Sequence, residues 1–269
     1  KGGFKKKSLT NLYGLKAWFA FSFCFLVFFI SFLFPVSQML YWTIIFPKHL
    51  VDLNLVELFS NTIILVLLSS IVLIGFAFIS NYGNRLSRSK FLEILTTFSI
   101  SGYAIPGIIL AVAFITFISW FDNSFINLFE IKNVKSIFIG SILGLIVVYF
   151  IRFFSLASNG IKSGYLKINY SIDESAYLLG YSKFKTFKDI HIPYLKNTIM
   201  LIGILIAIEI IKELPITLIM RPFNFETFAT QAYIYASQDL LEAAAAPSLF
   251  LILIASFFII ITSRYILKD

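Results

Sequence analysis

The sequence predicts an all-α polytopic membrane protein with six transmembrane helices, and three observations carry that expectation. Of 269 residues, 59% are hydrophobic and 13% charged, with a mean hydropathy of +0.89; a soluble domain of this length needs far more polar surface. Uncharged runs recur at 17–47, 58–84, 94–121, 136–151, 197–208 and 243–263, and about 20 apolar residues suffice to cross a bilayer. The charges then sort by side. Of 22 Lys and Arg, only Lys48, Lys132, Lys135, Lys212 and Arg221 fall on the outer side, which the positive-inside bias expects of a chain with both termini in the cytoplasm.

Taken in order, residues 1–16 form a basic cytoplasmic linker around Lys1, Lys5, Lys6 and Lys7, without an initiator Met or the apolar follow-on of a cleaved signal. The chain reads as a fragment of something longer, with residues 17–269 as one transmembrane domain. The first helix, about 17–46, has Trp18 at its inner end and Tyr41 and Trp42 at its outer end, as interfacial aromatics should lie. Its Cys24, the single cysteine, behaves as a small hydrophobe. The second helix spans about 58–81 and the third about 92–121, with Trp120 outermost. The fourth, 136–156, extends past a snorkelling Arg152 and shows small residues at Gly140 and Gly144. The fifth spans 194–218 and the sixth 244–264. Helix-disturbing residues fall within spans at Pro35, at Gly102, Pro106 and Gly107, and at Pro215; neighbouring helices can satisfy the freed backbone groups. Most of the 32 Phe and 13 Tyr read as lipid-facing or packing residues.

Several functions are disfavoured. His49 and His191 are the only histidines and lie far apart, so no metal site is expected. There is no G-x-x-x-x-G-K-[ST] phosphate loop and no convergent set of His, Asp or Cys at one membrane face, so no catalytic residue is assigned and the chain is not read as an enzyme. Its net charge of +8 is topological rather than a sign of nucleic acid binding.

The chemistry gathers in 171–193, a charged amphipathic segment between two apolar blocks. Ser171 and Glu174 have the spacing of a capping box, Asp173 and Glu174 suit a helix N-terminus, and Ile172, Ala176 and Leu179 form one apolar face. Gly180 is placed to stop that helix in a left-handed cap. A second short helix, about 183–190, carries Phe184, Phe187 and Ile190 among lysines, and Pro193 starts the fifth span. On these residues alone, the segment is either a docking element or an interfacial loop lying on anionic lipid.

Glu174-Ser175-Ala176, three residues, Gly180, nine residues, then Ile190-x-Ile192-Pro193 resembles the EAA loop of the membrane-spanning permease subunits of ABC importers. Ser175 replaces the second Ala of that pattern and Ile192 its Leu. The resemblance implies the type I ABC importer permease fold in a bacterial inner membrane, with Asp173, Glu174, Ser175, Ala176, Gly180, Ile190 and Pro193 in the loop that couples to the ATPase. It implies as partners a cytoplasmic ABC ATPase dimer, a second permease half or subunit, a periplasmic substrate-binding protein and the lipid bilayer. No cofactor is expected on this chain, ATP being bound by the partner. The stretch 212–230, Tyr233 and the run 242–247 are similar to iron(III)-type permeases, commonly fused pairs of six-helix halves. That likeness implies a C-terminal half and an iron(III) substrate. Permeases for thiamine, polyamines, phosphonates or sulfate share the architecture, and an ATP-independent secondary carrier is the alternative from another class.

Within the fifth helix, Glu209, Lys212 and Glu213 follow i, i+3, i+4 spacing, hence one face, just before Pro215. A lone charge facing lipid costs at least ~2.5 kcal/mol, so this face points into the bundle or a wet cavity. It is either an intrahelical network locking the helix or a gate on the path. Beyond it, Arg221 and Glu226 belong to a net acidic outer segment, either a contact for the binding protein or a solvated loop.

Overall fold

The computed structural model describes residues 12–87, 89–129 and 138–266. Most of the expected basic linker, Arg88, Lys132, Lys135, the start of the fourth expected helix and Lys268 lie outside the described residues. Every regular element among those described is helical.

Helix α1 (Leu15–Phe28) passes through a π-helical segment (Phe29–Leu33) into α2 (Phe34–Ile45). Pro35 explains the π turn, since it lacks a donor and its ring crowds the carbonyl four residues back, and a widened turn relieves both. No residue of α1 is buried. Its aromatics stack on one another, Phe21 on Phe25 and Phe28 on Phe32, and so much exposed apolar surface demands a hydrocarbon surround. A short α3 (Pro47–Val51) leads to α4 (Leu55–Ser87), whose start is fixed by Asn54. Its Oδ1 accepts from the Glu57 amide and its Nδ2 donates to the Glu57 carboxylate.

The helix expected over 92–121 is two helices. Between α5 (Lys90–Ile100) and α6 (Gly107–Leu128) lie a 3₁₀ turn, Ser101–Ala104, and an extended Ile105. Pro106 forces Ile105 out of the helical region. Gly102 then seats directly on α7 (Ile142–Tyr165), where a β-carbon would lie 2.1 Å from the Ile151 carbonyl oxygen. Buried Asp122 of α6 accepts from the Phe138 and Ile139 amides ahead of α7, tying the two together at the far end.

Helix α7 is the centre of the bundle. Leu145, Val148, Tyr149, Phe153, Ala157 and Ile161 are all 0–1% exposed, packed by α4 and by α11 (Lys196–Ile211). The small-residue contact lies elsewhere than expected. Gly140 has open space around it and Gly144 meets Phe138 and Ser141 just ahead of its own helix, whereas added β-carbons at Gly160 and Gly164 would fall 2.5 Å from Ile202 and 2.7 Å from Leu195. The i, i+4 pair one turn from the end of α7 is what lets α11 approach.

The expected coupling segment comprises α8 (Tyr170–Leu178), α9 (Lys183–Thr186), a π turn (Phe187–His191) and α10 (Ile192–Tyr194). The fifth expected helix is also interrupted: α11 stops at Ile211, and α12 (Pro215–Met220) begins with Pro215 in its first turn. At 1.5 Å per residue α11 is only about 24 Å long, short of a hydrocarbon layer of about 30 Å. Helices α13 (Phe228–Ser237) and α14 (Leu241–Ile266) pack together and complete the chain. Among the described residues five spans are long and apolar enough to cross a membrane: Leu15–Ile45, Leu55–Ser87, Gly107–Leu128, Ile142–Tyr165 and Leu241–Arg264. A sixth appears if Lys183–Tyr194 and Lys196–Ile211, bent by 70°, are taken together.

Candidate functional site

Loop 170–194 is a built element. Its first helix is capped by Asn169, whose side chain accepts from the Ser171 amide. The expected Ser171–Glu174 capping box is therefore absent: Ser171 already lies inside the helix, because Asn169 two residues earlier supplies the cap oxygen. Gly180, at φ 83°, ends it as expected. The Tyr181 amide reaches the Ala176 carbonyl and the Gly180 amide the Tyr177 carbonyl, both at 3.0 Å, the paired bonds of a Schellman stop. Ser182 caps the next helix through the Lys185 amide.

One carboxylate fastens this loop to the bundle. Asp173, 7% exposed, accepts through Oδ2 from Arg85 Nε at 2.8 Å and pairs through Oδ1 with His191 Nε2 at 2.6 Å. Arg85, at the end of α4, also donates to the Ile168 and Asn169 carbonyls and lies over the Tyr170 ring. The guanidinium fork thus holds both the carboxylate and the turn ahead of it. His191 is fully buried among Tyr82, Phe187 and Tyr165, and Tyr82 Oη donates to the Lys183 carbonyl at 2.6 Å.

Burial holds the His191 pKa below its ordinary value; the Asp173 hydrogen bond opposes that shift without reversing it. Neutral imidazole donating to Asp173 leaves Nδ1 without a partner. A histidine with a depressed folded pKa stabilises the fold above its unfolded pKa of about 6.5 and loses that contribution as pH falls through the folded value. The melting temperature of the purified chain is thus expected to fall on acidification below about pH 6.5, with a shallower fall in His191→Gln; equal slopes in both proteins would contradict this role.

Two faces of the loop follow. Asp173 and Ala176 (3% exposed) point into the bundle, so of the residues expected at an ATPase contact these two are inaccessible, and Ile190 is half-buried. Glu174, Ser175, Gly180 and Pro193 are exposed. Leu179, expected on the buried face with Ile172 and Ala176, projects outward, because the helix ends at Leu178 and the cap turns the chain. Leu178, Leu179 and Phe184 are 89%, 79% and 73% exposed, three large apolar side chains that the bundle leaves uncovered.

A second polar cluster lies inside the bundle where the fifth helix breaks. Glu213 does not join Glu209 and Lys212 in one network. Helix α11 has ended before it, so the face shared on paper is lost, and its carboxylate instead meets Arg152 of α7, Nε to Oε2 at 3.4 Å. Arg152 is accordingly turned inward rather than snorkelling, and donates to the Ile105 carbonyl at 2.6 Å. The Glu213 carboxylate also accepts from the Ile216 amide, and its carbonyl accepts from Thr217 Oγ1, whose hydroxyl meets Tyr149 Oη. Two breaks in the helices, at 101–106 and at 212–214, are thus tied to α7 through Arg152. Gly107 leaves room for the pair, since a β-carbon there would sit 2.7 Å from Glu213 Oε1.

Glu209 pairs with Lys212 at 2.7 Å as expected, with the Lys side chain 55% exposed. Lys212 borders an apolar cleft of about 400 Å³ lined by Met39, Trp42 and Tyr233. Arg221 and Glu226 pair with each other, and Glu226 is further held by Thr230 Oγ1. Among the described residues no group of three His, Cys, Asp or Glu is placed to hold a metal ion. Sequence reasoning missed Arg85, His191 and Arg152 as site residues. Arg85 carries no local signal, Arg152 reads as snorkelling from the fourth helix, and His191 reads only as one of two scattered histidines.

No protein-family model matches the chain. Among curated proteins it is 20% identical over 245 residues to the Fe(3+)-transport system permease protein FbpB 2 of Haemophilus influenzae, covering 90% of this chain and 46% of that protein. The chain thus spans about half the length of the curated relative it matches. Among solved structures it resembles a chain of a bacterial alginate ABC transporter in complex with an alginate pentasaccharide-bound periplasmic protein. The TM-score is 0.72 at 16% identity, over 92% of this chain and 93% of that one. It also resembles a chain of a bacterial ABC transporter involved in the import of the acidic polysaccharide alginate, with a TM-score of 0.69 at 18% identity, over 92% and 95%. The chain shares the fold of these ABC transporter chains.

Proposed function

We propose that the chain is a permease half of an ATP-driven, binding-protein-dependent importer in a bacterial inner membrane, and that loop 170–194 is the seat of its ATPase. The observation that carries this reading is the two-faced loop. A buried clamp of Arg85, Asp173 and neutral His191 fixes its inner side, while Leu178, Leu179 and Phe184 stand exposed. A loop resting on lipid needs no such internal clamp. Both termini are assigned to the cytoplasm by the distribution of Lys and Arg, and Arg221 and Glu226 to the outer face toward a periplasmic binding protein. ATP belongs to the partner ATPase dimer, and a second permease half, fused or separate, completes the path.

Iron(III) is the proposed cargo, supported by the likeness to a permease named for Fe(3+) transport. Glu209, Lys212, Glu213 and Pro215 are assigned to a gate at the broken fifth helix rather than to a metal site, with cargo selection left to the binding protein. Uptake of radiolabelled iron in cells carrying or lacking the gene tests the cargo; unchanged iron uptake alongside lost uptake of thiamine, a polyamine, a phosphonate or sulfate would reassign it.

The loop has its own test. Leu178→Asp with Phe184→Asp places two charges in the proposed apolar seat, where an unpaired buried charge costs several kcal/mol. The expected result is at least a tenfold loss of ATPase co-purifying with the permease, with the melting temperature of the permease itself unchanged. Undiminished co-purification would remove the loop from the interface.

A further inference from the structure

At the docking end of the bundle a cleft of about 670 Å³ opens between the end of α4, α5, the end of α7 and the turn into α8. Its volume falls within the range of small-molecule sites. Two of its lining residues carry buried polar atoms without partners, Tyr165 Oη and Asn84 Oδ1. Tyr165 is 7% exposed. Few buried polar groups go unpaired in native proteins, and here two belong to residues lining one cleft.

Their demands differ. The Thr96 hydroxyl donates to the Leu92 carbonyl at 2.7 Å, so toward Asn84 it can only accept, and Asn84 Nδ2 donates to it at 2.9 Å. That fixes the amide orientation and leaves Asn84 Oδ1 in need of a donor. Tyr165 Oη has a proton to give. The exposed ammonium groups of Lys162 and Lys167 line the same cleft, with Glu93 the one carboxylate among its lining residues; the charge of Arg85 is already matched by Asp173.

We propose that this cleft binds a phosphate ester bearing free hydroxyl groups, a phosphopolyol. The phosphate pairs with Lys162 and Lys167 and accepts from Tyr165, while a ligand hydroxyl donates to Asn84. Two sources share this chemistry. One is the glycerophosphate headgroup of an anionic lipid, for which basic pockets between membrane helices are suited; the other is a soluble phosphopolyol. Because Arg85 lines the cleft and also clamps the loop, an occupant lies against the loop's anchor. The proposal rests on the cleft's own groups and not on the transport reading.

The test uses the full chain in nanodiscs. In one arm the discs are pure phosphatidylcholine and glycerol 3-phosphate is titrated in; in the other, phosphatidylglycerol is included in the bilayer and lipid retention is followed by native mass spectrometry alongside thermal unfolding. The expected result is a raised melting temperature in at least one arm. A rise with glycerol 3-phosphate identifies a soluble ligand, and a rise with retained phosphatidylglycerol identifies a lipid. Lys162→Gln with Lys167→Gln should weaken that binding about tenfold or more, and Tyr165→Phe severalfold. The lysines are exposed, so their double variant should fold normally. No effect in either arm, equal binding by the lysine double variant, or an equal effect from glycerol or from phosphocholine would overturn the proposal.

Discussion

Asp173→Ala should release loop 170–194 from the bundle and, if that loop seats the ATPase as proposed, abolish coupled transport. The substitution leaves the Arg85 guanidinium, whose side chain is 7% exposed, holding only the Ile168 and Asn169 carbonyls, and leaves His191 buried with neither ring nitrogen bonded. Breaking one side of a buried ion pair costs about 3–5 kcal/mol, more than the pair's own net worth, because the abandoned charge stays desolvated. The loop can escape that cost by undocking, so the loss should appear locally. Amide exchange should accelerate by at least about a hundredfold over 170–191 and change little in α7. Arg85→Lys should fail to rescue function despite keeping the charge, since a single ammonium cannot serve a carboxylate and two carbonyls in the geometry of a guanidinium fork. Asp173→Asn, which keeps an acceptor, should be milder. Uniform acceleration of exchange across the chain, or none, would show that Asp173 is not the loop's anchor.

Glu213→Ala and Arg152→Ala should each destabilise the bundle by about 3–5 kcal/mol, and the double substitution by much less than the two together. The reason is placement. Both groups face inward between α7 and the break after α11, with side chains 9% and 20% exposed, and each alone would be an uncompensated charge among helices. Replacing the pair by Leu at 213 and Met at 152 should restore most of the stability, as apolar substitutes for buried pairs often do. If the pair belongs to a gate, that repacked protein folds but transports at least about tenfold more slowly; transport at the original rate would leave the pair a purely structural tie. Additive single effects would mean that the two groups do not interact at all.

How far the sequence alone reached can be judged at these same residues. The polarity of 171–193, its glycine stop and the acidic start of its first helix follow from local rules, and the structure keeps them. The cap was misplaced by two residues because Asn169 and Ser171 are both good caps, and only the geometry decides between them. Arg85 and His191 lie 88 and 18 residues from Asp173, and nothing in local spacing connects them. Arg152 near the end of an apolar run looks the same on paper whether it snorkels or turns inward. The shared face of Glu209, Lys212 and Glu213 assumes a continuous helix with Pro215 tolerated inside it, whereas the helix ends at Ile211 and restarts at Pro215. Pro106 stands at the like break in the third expected helix, and there too the break became a packing point, with Gly102 on Ile151 and the Ile105 carbonyl held by Arg152. The continuous lever from loop to fifth helix, which a proline restart at 193 suggests, is likewise interrupted by the 70° bend before α11.

The proposed seat of the ATPase is the outward apolar face of loop 170–194. The most direct measurement is photo-cross-linking from single positions bearing a benzophenone side chain, in membranes that contain the native ATPase. Positions 178, 179 and 184 should each give a covalent adduct with the ATP-hydrolysing subunit, strengthened or weakened by nucleotide, while Leu143 at the opposite end of α7, also exposed, should give none. Equal adducts from position 143, or none from the loop in membranes that still take up substrate, would contradict the account.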